Sequence, residues 1–80
     1  MLPRILRLPE VKSAYGLSRS TIYSHIQQGF LTKPVRLGAR SVGWPASEIT
    51  ALLSARIAGR SDEEIHSLVE ELEANRKTMD

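Results

Sequence analysis

Apolar positions come in short bursts along this chain, and their spacing changes from one segment to the next. Ile5, Leu6 and Leu8 make a brief apolar stretch broken by Arg7, about the length of a short strand. Pro9 stands where the first residue of a helix often stands, since its missing N–H costs nothing there, and Glu10 suits the positive end of a helix. Val11, Ala14 and Tyr15 recur at three and four, which is one face of a helix. Gly16 fits a left-handed cap. The pattern predicts a first helix over 9–15. Only Leu17 separates that glycine from Ser18, a good N-cap. Ile22 and Ile26 share a face and Gly29 closes the segment, which predicts a second helix over 19–28. Two short helices joined by a tight, glycine-containing turn form the helix-turn-helix pattern, a spacing that many helical hairpins share.

Phe30 opens a loop and is placed to anchor it on the core. Val35-Arg36-Leu37 and Val42-Gly43-Trp44 read as two short strands, with the turn at Gly38-Ala39-Arg40-Ser41. Trp44 closes a strand just before a new helix, so core packing is favoured over a role as a platform for stacked bases. Pro45, Ala46, Ser47 and Glu48 open a third helix whose stripe is Ile49, Leu52, Leu53 and Ile57, ended by Ala58 and Gly59. Ser61-Asp62-Glu63-Glu64 is a capping box that starts a fourth helix. Ile65, Leu68, Val69 and Leu72 line one side of it, and Glu70, Glu71 and Glu73 dominate the other. His66 falls on its polar side.

Length and composition narrow the class. Eighty residues make one small domain, which buries only about 60% of its unfolded surface. With 41% hydrophobic and 25% charged residues, the chain is not of disordered type. The absence of cysteine removes disulfides, thiolate metal sites and cysteine nucleophiles, and fits the cytosol. No apolar run approaches the roughly 18 residues of a membrane span, and the first ten residues carry no signal-peptide core. His25 and His66 have no ligand set around them, and neither paired carboxylates nor a nucleophile with a neighbouring base is recognisable. The expectation is therefore no metal, no cofactor, no catalytic residue and no membrane.

The net charge of +2 hides an asymmetry. Residues 1–60 hold nine Lys or Arg against Glu10 and Glu48, while residues 61–80 hold seven acids against Arg76 and Lys77. The first part faces a polyanion or is simply a solvated basic surface. The second helix favours the polyanion. Ser20, Ser24 and Gln27 lie on the side away from Ile22, Tyr23 and Gln28 flank them, and Arg19 stands at the N-terminal end. No residue from 18 to 28 is acidic. Hydroxyls, amides and an arginine reach base edges and phosphates without repulsion. A hairpin directly after such a helix has the form of a wing, which sets Arg36 and Arg40 beside a DNA backbone.

The runs Ile5-Leu6-Arg7-Leu8-Pro9-Glu10-Val11, Gly16-Leu17-Ser18-Arg19-Ser20-Thr21-Ile22-Tyr23 and Pro34-Val35-Arg36-Leu37-Gly38-Ala39-Arg40-Ser41-Val42-Gly43-Trp44 resemble the AlpA family of phage and prophage regulators. Ser47-Glu48-Ile49 and the stretch from Ala58 to Ile65 are also similar, so the resemblance covers roughly 4–75. It implies a mainly α fold with a small β-hairpin wing: a winged helix-turn-helix of MerR and excisionase type, followed by an amphipathic helix. It implies a regulator of an integrase gene, or an excisionase that bends attachment-site DNA. It also implies base contacts from the second helix and backbone contacts from the wing, carried here by Arg19, Ser20, Thr21, Tyr23, Ser24, Arg36 and Arg40. Ser24-His25 and Gln27-Gln28 stand where relatives often hold basic residues, which implies fewer phosphate contacts.

The chain is thus expected to be a cytoplasmic, nucleoid-associated binder of double-stranded DNA. Residues 1–60 would be its DNA-binding domain, and residues 61–80 an acidic helix packed on that domain or on a second copy through Ile65, Leu68 and Leu72. Integrase or RNA polymerase are the expected protein partners. The rival of another class is a protein–protein adaptor that uses the fourth helix.

Overall fold

In the computed structural model, which describes residues 3–78, the order is β1 (Ile5–Leu6), α1 (Leu8–Tyr15), α2 (Arg19–Gln28), β2 (Val35–Arg36), β3 (Val42–Pro45), α3 (Ala46–Ile57) and α4 (Asp62–Asn75). A 3-10 turn over Arg76–Thr78 follows. The predicted helix-turn-helix is present with its signals in their expected roles. Gly16 (φ 68°) and Gly29 (φ 82°) end α1 and α2 in the left-handed conformation, and Ser18 Oγ accepts the Thr21 N–H at 3.3 Å. α1 starts at Leu8, one residue before Pro9, because Arg7 takes the N-cap position. Glu10 reaches back to accept the Arg7 backbone N–H at 3.0 Å.

The short apolar stretch near the N-terminus is a strand of a three-stranded antiparallel sheet ordered β1-β3-β2. Ile5 faces Pro45 and Leu6 faces Trp44 on one edge of β3; Val35 faces Gly43 and Arg36 faces Val42 on the other. The wing hairpin is shorter on its first strand and longer on its second than the sequence predicts, since β3 continues to Pro45 to meet β1. At Gly43 the strands close in. A Cβ there would run into Ile5 Cγ2 and lie 2.9 Å from the Leu6 carbonyl oxygen.

Every helix contributes to one core: Val11 from α1, Ile22 from α2, Ile49 and Leu52 from α3, Ile65 and Val69 from α4, joined by Leu31 and Trp44. Trp44 is fully buried as a core residue, and its Nε1 donates to the Thr32 carbonyl at 2.9 Å. Burial of the indole is thus matched by a partner for its one polar atom. Two stripe residues do not join the core. Ala14, about 60° round the helix from Val11, is exposed. Ile57, eight residues beyond Ile49 and so rotated about 80° from it, is 86% exposed.

α4 packs on α3, and its ends are fixed differently. Ser61 Oγ accepts the Glu64 N–H at 3.2 Å while Glu64 Oε1 accepts the Ser61 N–H at 3.0 Å, the reciprocal bonds of the predicted box. Beyond the helix, Arg76 Nε and Nη2 donate to the two carboxylate oxygens of Glu48 at 2.8 and 2.6 Å. Glu48, which the sequence places only among the residues that open the third helix, is buried. The surface expected of Ile65, Leu68 and Leu72 is taken up within the chain, Ile65 wholly and the two leucines in part, against the chain's own core. His66 is not on a solvated side either: its ring stacks on Phe30 at 4.6 Å, because the loop after α2 folds that phenylalanine over it.

Candidate nucleic-acid interface

α2 is the second helix of the pair and buries only Ile22. Its N-terminal half holds Arg19, Ser20 and Tyr23 exposed, with the Arg19 guanidinium carbon 5.7 Å from the centre of the Tyr23 ring. The i, i+4 spacing brings the pair together on one helix face, and the ring offers the guanidinium a cation–π contact that restrains it. Thr21 and Ser24 are half-buried and otherwise engaged. Thr21 Oγ1 lies 3.0 Å from Ser18 Oγ, within the cap. Ser24 Oγ accepts from Gln28 Nε2 at 3.0 Å, which leaves its own hydroxyl proton for another acceptor. Gln28 enters the exposed face through this bond, a pairing that its spacing from Ser24 makes readable in the sequence.

Arg36 ends β2, and Arg40 lies in the turn between β2 and β3, closed by the Leu37 N–H on the Ser41 carbonyl at 2.7 Å. Both arginines are exposed. The structure pairs Arg19 with Tyr23 and Ser24 with Gln28 on α2, and places Arg36 and Arg40 on the hairpin; no hydrogen bond or ion pair joins helix and hairpin side chains among the described residues.

The few acids of the basic part are neutralised where they stand. Glu10 Oε2 is 3.3 Å from Arg4, and Glu48 is held by Arg76. Among the described residues, Lys12, Lys33, Arg36 and Arg40 make no ion pair. α4 shows Glu63, Glu70 and Glu71 to solvent. On the folded surface Glu70 and Glu73 line one hollow with Gln28 and Lys33, so the acidic helix meets the basic part at the C-terminal end of α2.

Sequence reasoning missed two long-range grips on the segments that carry the candidate residues. Arg7 Nε donates to the Val42 carbonyl at 2.9 Å, across 35 residues. Glu73 Oε2 accepts the Lys33 N–H at 2.8 Å, and Arg76 Nη2 donates to the Lys33 carbonyl at 2.6 Å. The Glu48–Arg76 pair, which holds the same guanidinium, had a signal in the sequence: Glu48 is a rare acid in the basic part, and Arg76 a rare base in the acidic tail.

Among the described residues there is no group of three or more His, Asp or Glu placed to hold a metal ion, and no helix long and apolar enough to cross a membrane.

Residues 4–57 match the family of the prophage CP4-57 regulatory protein (AlpA). The chain is 53% identical over 57 residues to an uncharacterised protein, ORF88, of Enterobacteria phage P4; the match covers 71% of this chain and 65% of that protein. It is 41% identical over 59 residues to the DNA-binding transcriptional activator AlpA of Escherichia coli K12, covering 66% of this chain and 84% of the relative. No solved structure matches the chain. The family match ends with α3, so α4 lies beyond it.

Proposed function

The chain belongs to the AlpA family of prophage regulatory proteins, and from that premise we propose that it is a sequence-specific double-stranded DNA-binding transcriptional regulator of a phage or prophage gene such as an integrase gene. α2 enters the major groove. Arg19 and Ser20 meet base edges, Ser24 offers its free hydroxyl proton, and Tyr23 and Thr21 orient the helix on the backbone. Arg36 and Arg40 hold the neighbouring phosphates or minor groove. The protein works in the cytoplasm on the nucleoid. Residues 1–60 supply the DNA-facing surface, and residues 61–80 brace it.

The observation that carries this reading is the electrostatic one. The α2 face contains no acid, and among the described residues the wing arginines have no acidic partner while the acids are paired or lie on α4. A surface so arranged concentrates a polyanion at one side.

The test is a fluorescence-anisotropy titration of labelled mixed-sequence duplexes at two salt concentrations with a polyanion competitor. Salt-dependent binding that persists for a subset of duplexes under competition is the expected result. No binding at low salt rejects the reading and favours the adaptor role for α4. A DNase I footprint on the selected site then separates the regulatory roles. Promoter protection belongs to a transcription regulator, whereas arrayed repeats beside an attachment core belong to an excisionase.

A further inference from the structure

β1 is too short for the strand it faces. Antiparallel pairing sets Leu6 against Trp44 and, through the Ala46 N–H on the Arg4 carbonyl at 2.8 Å, Arg4 against residue 46. Hydrogen-bonded pairs alternate along such a ladder, so the next would place the N–H of residue 8 on the carbonyl of Val42. The chain has by then turned into α1, and Leu8 is its first residue. The rung is made instead by a side chain, with Arg7 Nε donating to that carbonyl at 2.9 Å. Val42 is the first residue of β3 and faces Arg36 of β2. A residue that the sequence places before the helix-turn-helix thus ends at the root of the wing.

The bond uses one of the five N–H groups of the guanidinium. It restrains the plane of the group and, among the described residues, leaves both terminal amino nitrogens without a protein partner on an exposed side chain. Arg4, three residues earlier, is tied to Glu10 at 3.3 Å and is not in this position. Across β3 from Arg7 lies Arg36, and the turn beyond carries Arg40. No acid pairs with any of the three arginines among the described residues. A planar fork held by its Nε, with two free amino groups, is the arrangement that takes phosphate oxygens as a pair.

We propose that Arg7 is a phosphate-binding residue of the wing: anchored on the Val42 carbonyl, its free amino groups grip a DNA backbone phosphate next to those met by Arg36 and Arg40. This rests on the DNA-binding reading. It makes Arg7 a contact of set geometry, independent of base sequence.

The test compares wild type, Arg7→Ala, Arg7→Lys and Arg40→Ala, alone and with Arg7→Ala, by anisotropy against a duplex that wild type binds, over 50–200 mM salt. Thermal unfolding of each variant, followed by Trp44 fluorescence, confirms that it is folded at the assay temperature. Arg7→Ala is expected to lower affinity for all duplexes alike and to reduce the slope of log affinity against log salt by about one unit. Arg7→Lys keeps the charge but not the fork, and is expected to leave most of that loss in place. The double variant is expected to lose about two units. Three outcomes overturn the proposal: no effect of Arg7→Ala, full recovery by lysine, or an unchanged salt slope with the Arg40→Ala effect abolished. The last would make Arg7 a brace for the hairpin and nothing more. Failure of wild type itself to bind any duplex rejects the DNA-binding reading first, so the two failures are distinct.

Discussion

A carboxylate with 4% of its surface exposed has to be met by a cation, and Glu48 is met through both oxygens by Arg76. The same contact holds the Arg76 guanidinium above its ordinary pKa, chiefly through the hydrogen bond to Glu48. Arg76→Ala would leave a buried charge unpaired, and is expected to cost roughly 3 kcal/mol, read as a lower urea midpoint by Trp44 fluorescence. Replacing both partners, as Glu48→Met with Arg76→Leu, is expected to restore most of it; an equal loss in the double variant would show that the pair itself is not what matters. On the α2 face the relevant residues are read by specificity. Arg19→Ala is expected to cost about 1–3 kcal/mol and to relax preference at one base pair if Arg19 forks onto guanine. Arg40→Ala is expected to weaken binding to all sequences and to flatten the salt slope by about one unit. If neither substitution changes binding, the assigned surface is wrong.

At the scale of elements, caps and crossings decide where helices and strands stop. α4 begins on a reciprocal box, and Glu64 is held below the ordinary carboxylate range, first by the Ser61 backbone N–H, then by the Ser61 side chain, with Arg60 adding to it. A depressed carboxylate contributes stability above its unfolded value of about 4.3 and loses it as pH falls through the folded value. The gap in thermal midpoint between wild type and Glu64→Gln is therefore expected to be largest at neutral pH and to shrink under acid; a pH-independent gap would contradict this. The crossing of β1 over β3 is a different constraint. Gly43→Ala would set a methyl group against Ile5 and the Leu6 carbonyl, and is expected to destabilise by about 1–3 kcal/mol, measured by the same urea titration. Elements were legible in the sequence wherever a local signal existed. Gly16, Ser18, Gly29 and the Ser61 box each mark a boundary within a residue or two. The β1–β3 pairing had no such signal, because two residues carry too little pattern to name a partner some forty residues away.

For the whole molecule, charge and core divide the chain at different places. The cations assigned to DNA all lie before residue 60, yet Ile65 and Val69 complete the core and Glu73 and Arg76 close on both backbone groups of Lys33, between α2 and the wing. A chain ending at residue 60 is expected to lose cooperative thermal unfolding, monitored by circular dichroism; retention of a sharp transition would show that the basic part folds alone. Charge counting separates a basic part from an acidic tail, since both are properties of the sequence itself. It did not read the brace, because contacts such as Arg76 with Glu48 and Lys33 depend on how α4 lies across α3. The candidate face on α2 follows from helix spacing, whereas the anchoring of Arg7 on the Val42 carbonyl depends on a strand ending early and has no signal in the sequence.

The grip on Lys33 also has a consequence in time. A ribosome makes the chain from its N-terminus at about 5–20 residues per second, so every cation proposed to face DNA is synthesised before Glu73 and Arg76, which lock the linker between α2 and the hairpin. A nascent chain that has not yet made Glu73 and Arg76 would carry those cations without the fixed geometry that the two residues give the linker.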